Sequence, residues 1–429
     1  MTTPATLRVE DIDISDLRFW QRPRPEREAA FAVLRAAGAP RLFAEPEVPF
    51  TRRGDGYWAL VRHADVVEAS RNPKVFSSEP NATSMVDSPS WLRRYISSMI
   101  DMDDPRHAKI RRIVSRAFTP KTLAKTEDDI ARRAARIVDE LVASGPGDFI
   151  PKVAVRLPVE VICDMLGIPD SYYPRVVRLT NIVLGNTDAE YTGITPEMGR
   201  LRTGLGLAKV ALASRELHAI AAKLGRERVA EPTGDLTSAL VNANVDGEKL
   251  TTREFGTFFL LLVVAGNETT RTALAHGLKL LTDNPDQRDL LLGDFDTHIA
   301  GAVEEIVRCS TPVITFRRNV TEDHEMNGHA YRRGDKVMLF YNSANRDETV
   351  FPDPDRFDIT RPNVRDHVGF GGPGPHFCLG ANLARREITV MFRELFTRLP
   401  DLRAAGEPDY LTSSFINGIK RLPCTFTAP

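Results

Sequence analysis

Cys378 closes the stretch Gly369-Phe370-Gly371-Gly372-Pro373-Gly374-Pro375-His376-Phe377, in which four glycines and two prolines precede a single thiol. From Leu379 onward, Leu379, Leu383, Ile388, Phe392 and Leu395 recur at helical spacing. The pattern predicts a Gly-rich loop that delivers a cysteine to a helix N-terminus. Free N–H groups at such an end point at the sulfur and favour its thiolate. A thiolate in a loop that lets another body approach closely is a candidate metal ligand. A buried structural cysteine beside a turn is the plainer reading of this residue taken alone.

Other residues carry chemistry at a distance from the loop. Asp104-Pro105-Arg106-His107 opens a helix in which His107 and Arg111 share a face at i and i+4. They suit either a clamp on an anionic group or a solvated basic face. Ala265-Gly266-Asn267-Glu268-Thr269-Thr270-Arg271 interrupts an otherwise apolar helix. Polar groups inside a buried helix cost stability, and proton transfer by Glu268 and Thr269 into a dry pocket is a chemistry that explains the cost. A Thr hydroxyl that bonds back to its own helix can open a local bulge. The alternative is a helix emerging into solvent, but the apolar stripe resumes at Leu274, Leu278 and Leu281. Glu305-x-x-Arg308 can pair at i, i+3 as a structural lock if buried.

The elements that must position these residues are mostly helical. Helices are expected at 26–37, 65–70, 107–118, 123–144, 153–166, 172–184, 198–229, 251–281 and 300–309. Gly-Pro-Gly at 145–147 and Gly-Ile-Pro at 167–169 separate them. The helix 251–281 begins at a Thr251 or Thr252 cap with Glu254 in the first turn, and its centre, Phe258 to Val264, is apolar on all faces. Strands are expected at 41–50 and 57–61 as a hairpin, then at 313–316, 325–331 and 336–340, with a last hairpin in 409–427. Residues 77–101 mix Ser and Pro with Met85, Trp91, Ile96, Met99 and Ile100, and read equally as a mobile pocket wall or a loop tucked onto the core.

The 429 residues, 42% of them hydrophobic, can bury a large core, and no low-complexity linker divides them. A net charge of −1 gives no basis for nucleic-acid or anionic-membrane binding. Four dispersed cysteines (Cys163, Cys309, Cys378, Cys424), no signal peptide and no apolar run of transmembrane length predict a cytoplasmic protein with reduced thiols.

Together, these residues resemble the cytochrome P450 family of haem-thiolate monooxygenases. The pieces occur in family order: Asp104-Pro105-x-His107-x-x-x-Arg111, Ala265-Gly266-x-Glu268-Thr269, Glu305-x-x-Arg308, Asn345-Arg346-Asp347 with Phe351-Pro352-x-x-x-x-Phe357, and the loop with Cys378-x-Gly380. The resemblance covers roughly residues 55–425. One departure is clear. The family's bacterial loop places its aromatic seven residues before the cysteine, whereas Phe370 stands eight before Cys378. The longer loop is similar to that of the family branch that oxidises sterols and methyl-branched lipids.

The resemblance implies a mostly α fold with a small β region, a single domain of residues 1–429 wrapped on one haem b. Cys378 would be the iron ligand. His107, Arg111, Arg318 and His376 would bind the haem propionates, with Phe370, Gly380 and Ala265 against the macrocycle. Arg318 is preferred to Arg317 because it matches the family's arginine five residues before an aspartate, here Asp323, and neighbours on a strand face opposite ways. Glu268 and Thr269 would supply protons to dioxygen. Ile96, Met99, Ile100, Leu184, Leu261, Val264, Val313, Phe316 and Phe415, with Ala265, would line an apolar substrate pocket suited to terminal hydroxylation of a lipid, fatty-acid-like, terpenoid or sterol side chain. Glu305 and Arg308, with Arg356 or Arg346, would be structural. Electrons would come from a separate ferredoxin and its reductase, docking on Arg112, Arg116, Arg385 and Arg386, and the protein would be a monomer. A haem-thiolate peroxygenase or isomerase, or a non-catalytic haem or lipid binder, are the competing readings.

Overall fold

In the computed structural model, the described residues are 7–47, 54–87, 97–115, 118, 127–185, 187–193, 200–243 and 249–427. The expected position Ile96 and the docking candidate Arg116 lie outside them. Seven helices build or brace the region of the cysteine loop: α1 (His63–Arg71), α2 (Arg106–Ser115), α3 (Tyr173–Leu184), α4 (Arg200–Ala230), α5 (Thr252–Asp283), α6 (Phe295–Ser310) and α7 (Ala381–Arg398).

The axis of the molecule is α5. Its start is a capping box: Thr251 Oγ1 accepts the Glu254 N–H at 3.2 Å, and Glu254 Oε2 accepts the Thr251 N–H at 2.9 Å. Phe255, Phe258, Phe259, Leu262 and Val263 fill the first half of its buried surface, and Ala273, Leu274, Leu278 and Leu281 the second. Between them Asn267, Glu268, Thr270 and Arg271 are also buried, so the polar interruption lies inside the core. The helix stops at Asn284, where Pro285 opens the next one. α4, α6, α7 and the helix Arg156–Met165 pack against α5. α7 approaches so closely that a Cβ on Gly277 would stand 2.7 Å from Phe392 Cζ.

A five-stranded sheet flanks this helical mass. Its strands are β1 (Arg41–Phe43), β2 (Tyr57–Leu60), β3 (Phe76–Ser77), β4 (Thr315–Val320) and β5 (Lys336–Phe340), in the order β1-β2-β5-β4-β3. The β2–β5 pair is parallel and the others antiparallel; Arg318 lies opposite Val337. The expected hairpin of β1 and β2 is present. The C-terminal segment is not one hairpin: Asp409–Tyr410 pairs with Ile419–Arg421, while Pro423–Thr425 lies between Gly147–Asp148 and Arg403–Ala404. Two further differences are the helix Pro285–Gly293, which the pattern missed, and α6, which begins at Phe295. No described helix is long and apolar enough to cross a membrane.

Candidate functional site

The cysteine loop runs between α1, α6 and α7. The Cys378 N–H donates to the Phe370 carbonyl at 2.9 Å, and the Gly371 N–H to the Val368 carbonyl at 2.9 Å. Gly371 and Gly374 take positive φ, +89° and +154°. The loop presses on the end of α1: a Cβ at Gly374 would meet the Ser70 carbonyl oxygen at 2.2 Å, and one at Gly372 would meet Ser70 Oγ at 2.4 Å. α7 begins after Gly380, whose N–H points at the Cys378 sulfur. Burial is the largest influence on that thiol and pushes its pKa up. The Gly380 N–H and the Arg111 and Arg385 guanidinium groups oppose it without prevailing. The helix end thus acts in the expected direction but does not ionise the thiol by itself, because desolvation is stronger. A metal cation would.

Beside the thiol lies a group of basic side chains. His107 is buried with Nε2 unpartnered, and its ring is 4.3 Å from that of His376. His376 Nε2 meets Ser78 Oγ at 3.0 Å. Burial, then Arg318, His107 and Arg111, push the His376 pKa down to about 3. Arg111 donates to the Phe377 carbonyl at 2.6 Å. The buried Arg318 donates to the Arg317 carbonyl at 2.7 Å, and burial lowers its pKa. Arg317 faces the other way, with Nη2 2.8 Å from Asp87. So β4 sends Arg318, and not Arg317, toward the cavity. Arg111 and Arg318 have no carboxylate ion pair among the described residues. Desolvated cations without a directly paired carboxylate are costly, and two carboxylates placed here would satisfy them.

Cys378, Arg111, Arg318, His376, Phe370, Gly380, Ala265 and Thr269 all border one cavity with about 1550 Å³ of empty space, part of it open to solvent. Among the described residues no group of three His, Cys, Asp or Glu could hold a bare metal ion. One sulfur, an apolar chamber and an unpaired basic rim therefore fit an iron carried in its own dianionic macrocycle, which is to say a haem.

Across the cavity from this rim, α5 continues unbroken through the polar interruption, so the bulge does not form. Thr269 Oγ1 does bond back, donating to the Ala265 carbonyl at 2.7 Å. Glu268 does not border the cavity. It pairs with Arg271 at 3.1 Å and 3.2 Å. Arg271 also donates to Asn181 Oδ1 of α3 at 2.7 Å, and Asn267 donates to Thr180 Oγ1 at 3.3 Å. Arg271 and Asn267 were missed as site residues; their place within the motif was the available signal.

Met99, Ile100, Leu261, Ala265, Val313 and Phe316 border the cavity as expected. Leu184, Val264 and Phe415 do not: they pack in an adjoining cluster with Leu411 and Ile416, which Val313 also touches. Phe415 reaches the wall indirectly, its ring 5.6 Å from that of Phe316. Phe118, Ile162, Phe258, Thr270 and Glu387 join the lining without sequence warning, since apolar periodicity cannot separate a cavity wall from ordinary core.

Glu305 and Arg308 are fully buried and make two bonds of 2.7 Å. Arg308 also donates to the carbonyls of Asn345 and Pro354, both at 2.8 Å, pinning the irregular run beneath the loop. The expected third member, Arg356, is exposed and offers only its carbonyl, at 3.2 Å. Arg361 supplies the side chain instead, 3.3 Å from Glu305. The alternative, Arg346, pairs with Glu28 and Asp355. Two docking candidates are also engaged internally, Arg385 with Glu304 and Arg386 with Glu127. Arg112 is exposed on α2.

Comparison with known proteins agrees with this geometry. The cytochrome P450 family model matches residues 207–399. A methyl-branched lipid omega-hydroxylase of Mycobacterium tuberculosis is 45% identical over 429 residues, spanning 99% of this chain and 97% of that protein. A steroid C26-monooxygenase of Mycolicibacterium smegmatis is 39% identical over 376 residues, 87% of this chain and 84% of that one. Among solved structures, a Mycobacterium marinum cytochrome P450 in complex with pseudoionone superimposes with a TM-score of 0.91 at 41% identity, covering 99% of this chain and all of the other.

Proposed function

The chain belongs to the cytochrome P450 family and is a haem-dependent monooxygenase; from that premise we propose that it hydroxylates the terminal carbon of a hydrophobic chain, that of a methyl-branched lipid, a fatty-acid-like or terpenoid molecule, or a sterol side chain. The observation that carries this reading is identity of 45% along 99% of the chain with a methyl-branched lipid omega-hydroxylase. The cavity supports it, because Met99, Ile100, Phe258, Leu261, Val313 and Phe316 offer an apolar wall. Such a wall binds a hydrocarbon tail by desolvation, at about 25 cal/mol per Å² buried.

The cofactor would be haem b, held by the Cys378 sulfur, and it would supply the activation of dioxygen and the insertion of one oxygen atom into a C–H bond. The protein's part is binding, positioning and proton supply. Arg111 and Arg318 would neutralise the two propionates, and the neutral His107 and His376 rings would donate hydrogen bonds to them. The apolar wall excludes water and aligns the tail. Thr269 Oγ1, which now donates to the Ala265 carbonyl, would deliver a proton into the cavity, and Glu268 would replenish it while Arg271 holds the carboxylate. Electrons reach the protein from a ferredoxin and its reductase. All four cysteines are free thiols, which suits a reducing cytoplasm. The chain acts as one haem-binding domain and as a monomer.

The test is a spectral titration with branched fatty acids, linear fatty acids, terpenoids and cholest-4-en-3-one, followed by mass spectrometry of the products. A spin-state shift with the branched or sterol side chains and oxygen on the terminal carbon is expected. In-chain oxidation, or turnover that needs neither reductant nor dioxygen, would refute the reading, the second in favour of a peroxygenase or isomerase.

A further inference from the structure

The loop carrying Cys378 is glycine-rich, yet its aromatic residue is gripped from outside. The Arg385 guanidinium lies 4.4 Å from the centroid of the Phe370 ring. Glu304 of α6 holds that guanidinium by two bonds, 2.6 Å and 3.2 Å. His367 Nε2 meets the same carboxylate at 2.9 Å, and its ring is 5.8 Å from that of Phe370. His367 Nδ1 accepts the Gly369 N–H at 2.9 Å, so in the neutral ring Nε2 carries the proton and donates to Glu304. Glu304 and His367 are both buried. The Phe370 carbonyl in turn takes the Cys378 N–H. A continuous path of contacts thus leads from α6, through Arg385 on α7, to the backbone of the cysteine.

A buried carboxylate is an expensive way to hold a surface arginine, and neighbouring Glu305 already supplies the structural pair of α6. We propose that Glu304, Arg385 and His367 form a positioning brace that fixes the Phe370 ring beside the lengthened loop and thereby sets how strongly the Cys378 sulfur donates to the iron. The inference rests on Cys378 as the iron ligand. A planar cation against a ring face and a bidentate carboxylate are both directional, so the brace resists the twisting that four glycines would otherwise permit. Hydrogen bonding and solvent access at a ligand sulfur tune a haem's potential. A loosened ring admits water to the sulfur, weakens its donation and raises the midpoint potential.

The experiment measures midpoint potential and carbonyl difference spectrum on haem-loaded, substrate-free protein. Arg385→Lys keeps the charge but loses the planar stack; Glu304→Gln keeps the shape but loses the anion. Both should raise the potential, and the double variant should raise it no further than the larger single one, because they act through one contact. Arg393→Lys is the control, since Arg393 pairs with Asp296 and lies 4.6 Å from the Phe295 ring on the same helix, away from the loop; it should change nothing. Single variants with wild-type potential and spectrum but lowered melting temperature would overturn the brace as a tuning device. A double shift equal to the sum of the singles would overturn it in favour of separate charge effects. Should Glu304→Gln not fold, Arg385→Lys against the control decides. Cys378→Ser tests the assignment beneath: a thiolate-type carbonyl band surviving in that variant would sink the ligand itself, whatever the brace does.

Discussion

In the proposed relay, Thr269 and Glu268 would divide one task between two environments. Thr269 faces the cavity with a hydroxyl already committed to its own helix, while Glu268 is one step behind, tied to Arg271. Thr269→Ala should lower product formed per electron severalfold and release peroxide, measured as the ratio of product to reduced cofactor consumed; unchanged coupling would remove Thr269 from the relay. Glu387 poses a different question. It borders the cavity with Oε2 unpartnered, and burial raises its pKa to about 8. Between the carboxylate value of 4.5 and about 8 the unfolded chain is ionised there and the folded chain is not, so the folded state binds more protons and stability falls as pH rises through that window. Glu387→Gln should be more stable than the parent by about 1–3 kcal/mol at pH 8, with the difference vanishing near pH 4, in denaturant titrations at both pH values. At this scale motif spacing was enough to bring Cys378 and Arg318 to the cavity, whereas His107 does not border it and packs against the His376 ring instead. The sequence failed where a backbone atom substitutes for a side chain: Arg356 contributes a carbonyl and Arg361 the guanidinium, a choice made by the path of the irregular run and not by spacing.

Helix α5 shows what element-level pattern carries and what it omits. Its capping box, apolar centre and buried polar interruption were all legible, because each is local in sequence. That it runs through the interruption without a bulge was not, since an isolated back-bond and a bulge share one sequence signature. Nor was the tightness of its packing on α7. Gly277 leaves a Cβ only 2.7 Å from Phe392 and 3.1 Å from Ile306 Cδ1. Gly277→Ala should therefore destabilise by about 1–3 kcal/mol despite the better helix propensity of alanine, read as a lowered melting temperature. A rise would mean that α7 yields to the methyl. The C-terminal strands were misjudged for a related reason: Pro423–Thr425 pairs with Gly147–Asp148, a partner far away in sequence.

At the scale of the whole molecule, a net charge of −1 leaves the docking of a charged partner to local groups. Arg385 and Arg386 pair with Glu304 and Glu127, and Arg112 is exposed on α2, so the proposed docking of an acidic electron carrier is tested at Arg112. Raising ionic strength should slow ferredoxin-driven turnover while leaving peroxide-driven turnover unchanged, and Arg112→Glu should raise the KM for ferredoxin alone. Equal salt sensitivity of both routes would place the effect in the catalytic fold itself. The family architecture was legible because five short motifs kept their order, whereas the boundary between cavity wall and adjoining core was not, being a matter of where helices cross. The meeting of Gly372 and Gly374 with Ser70 has a consequence beyond a single chain. Gly372, whose added Cβ would meet Ser70 Oγ and Cβ, leaves little room for a bulkier residue at that helix end. Across relatives the two places should therefore change hands together in evolution, and an alignment scored for loop length against residue size at that position would display the covariation.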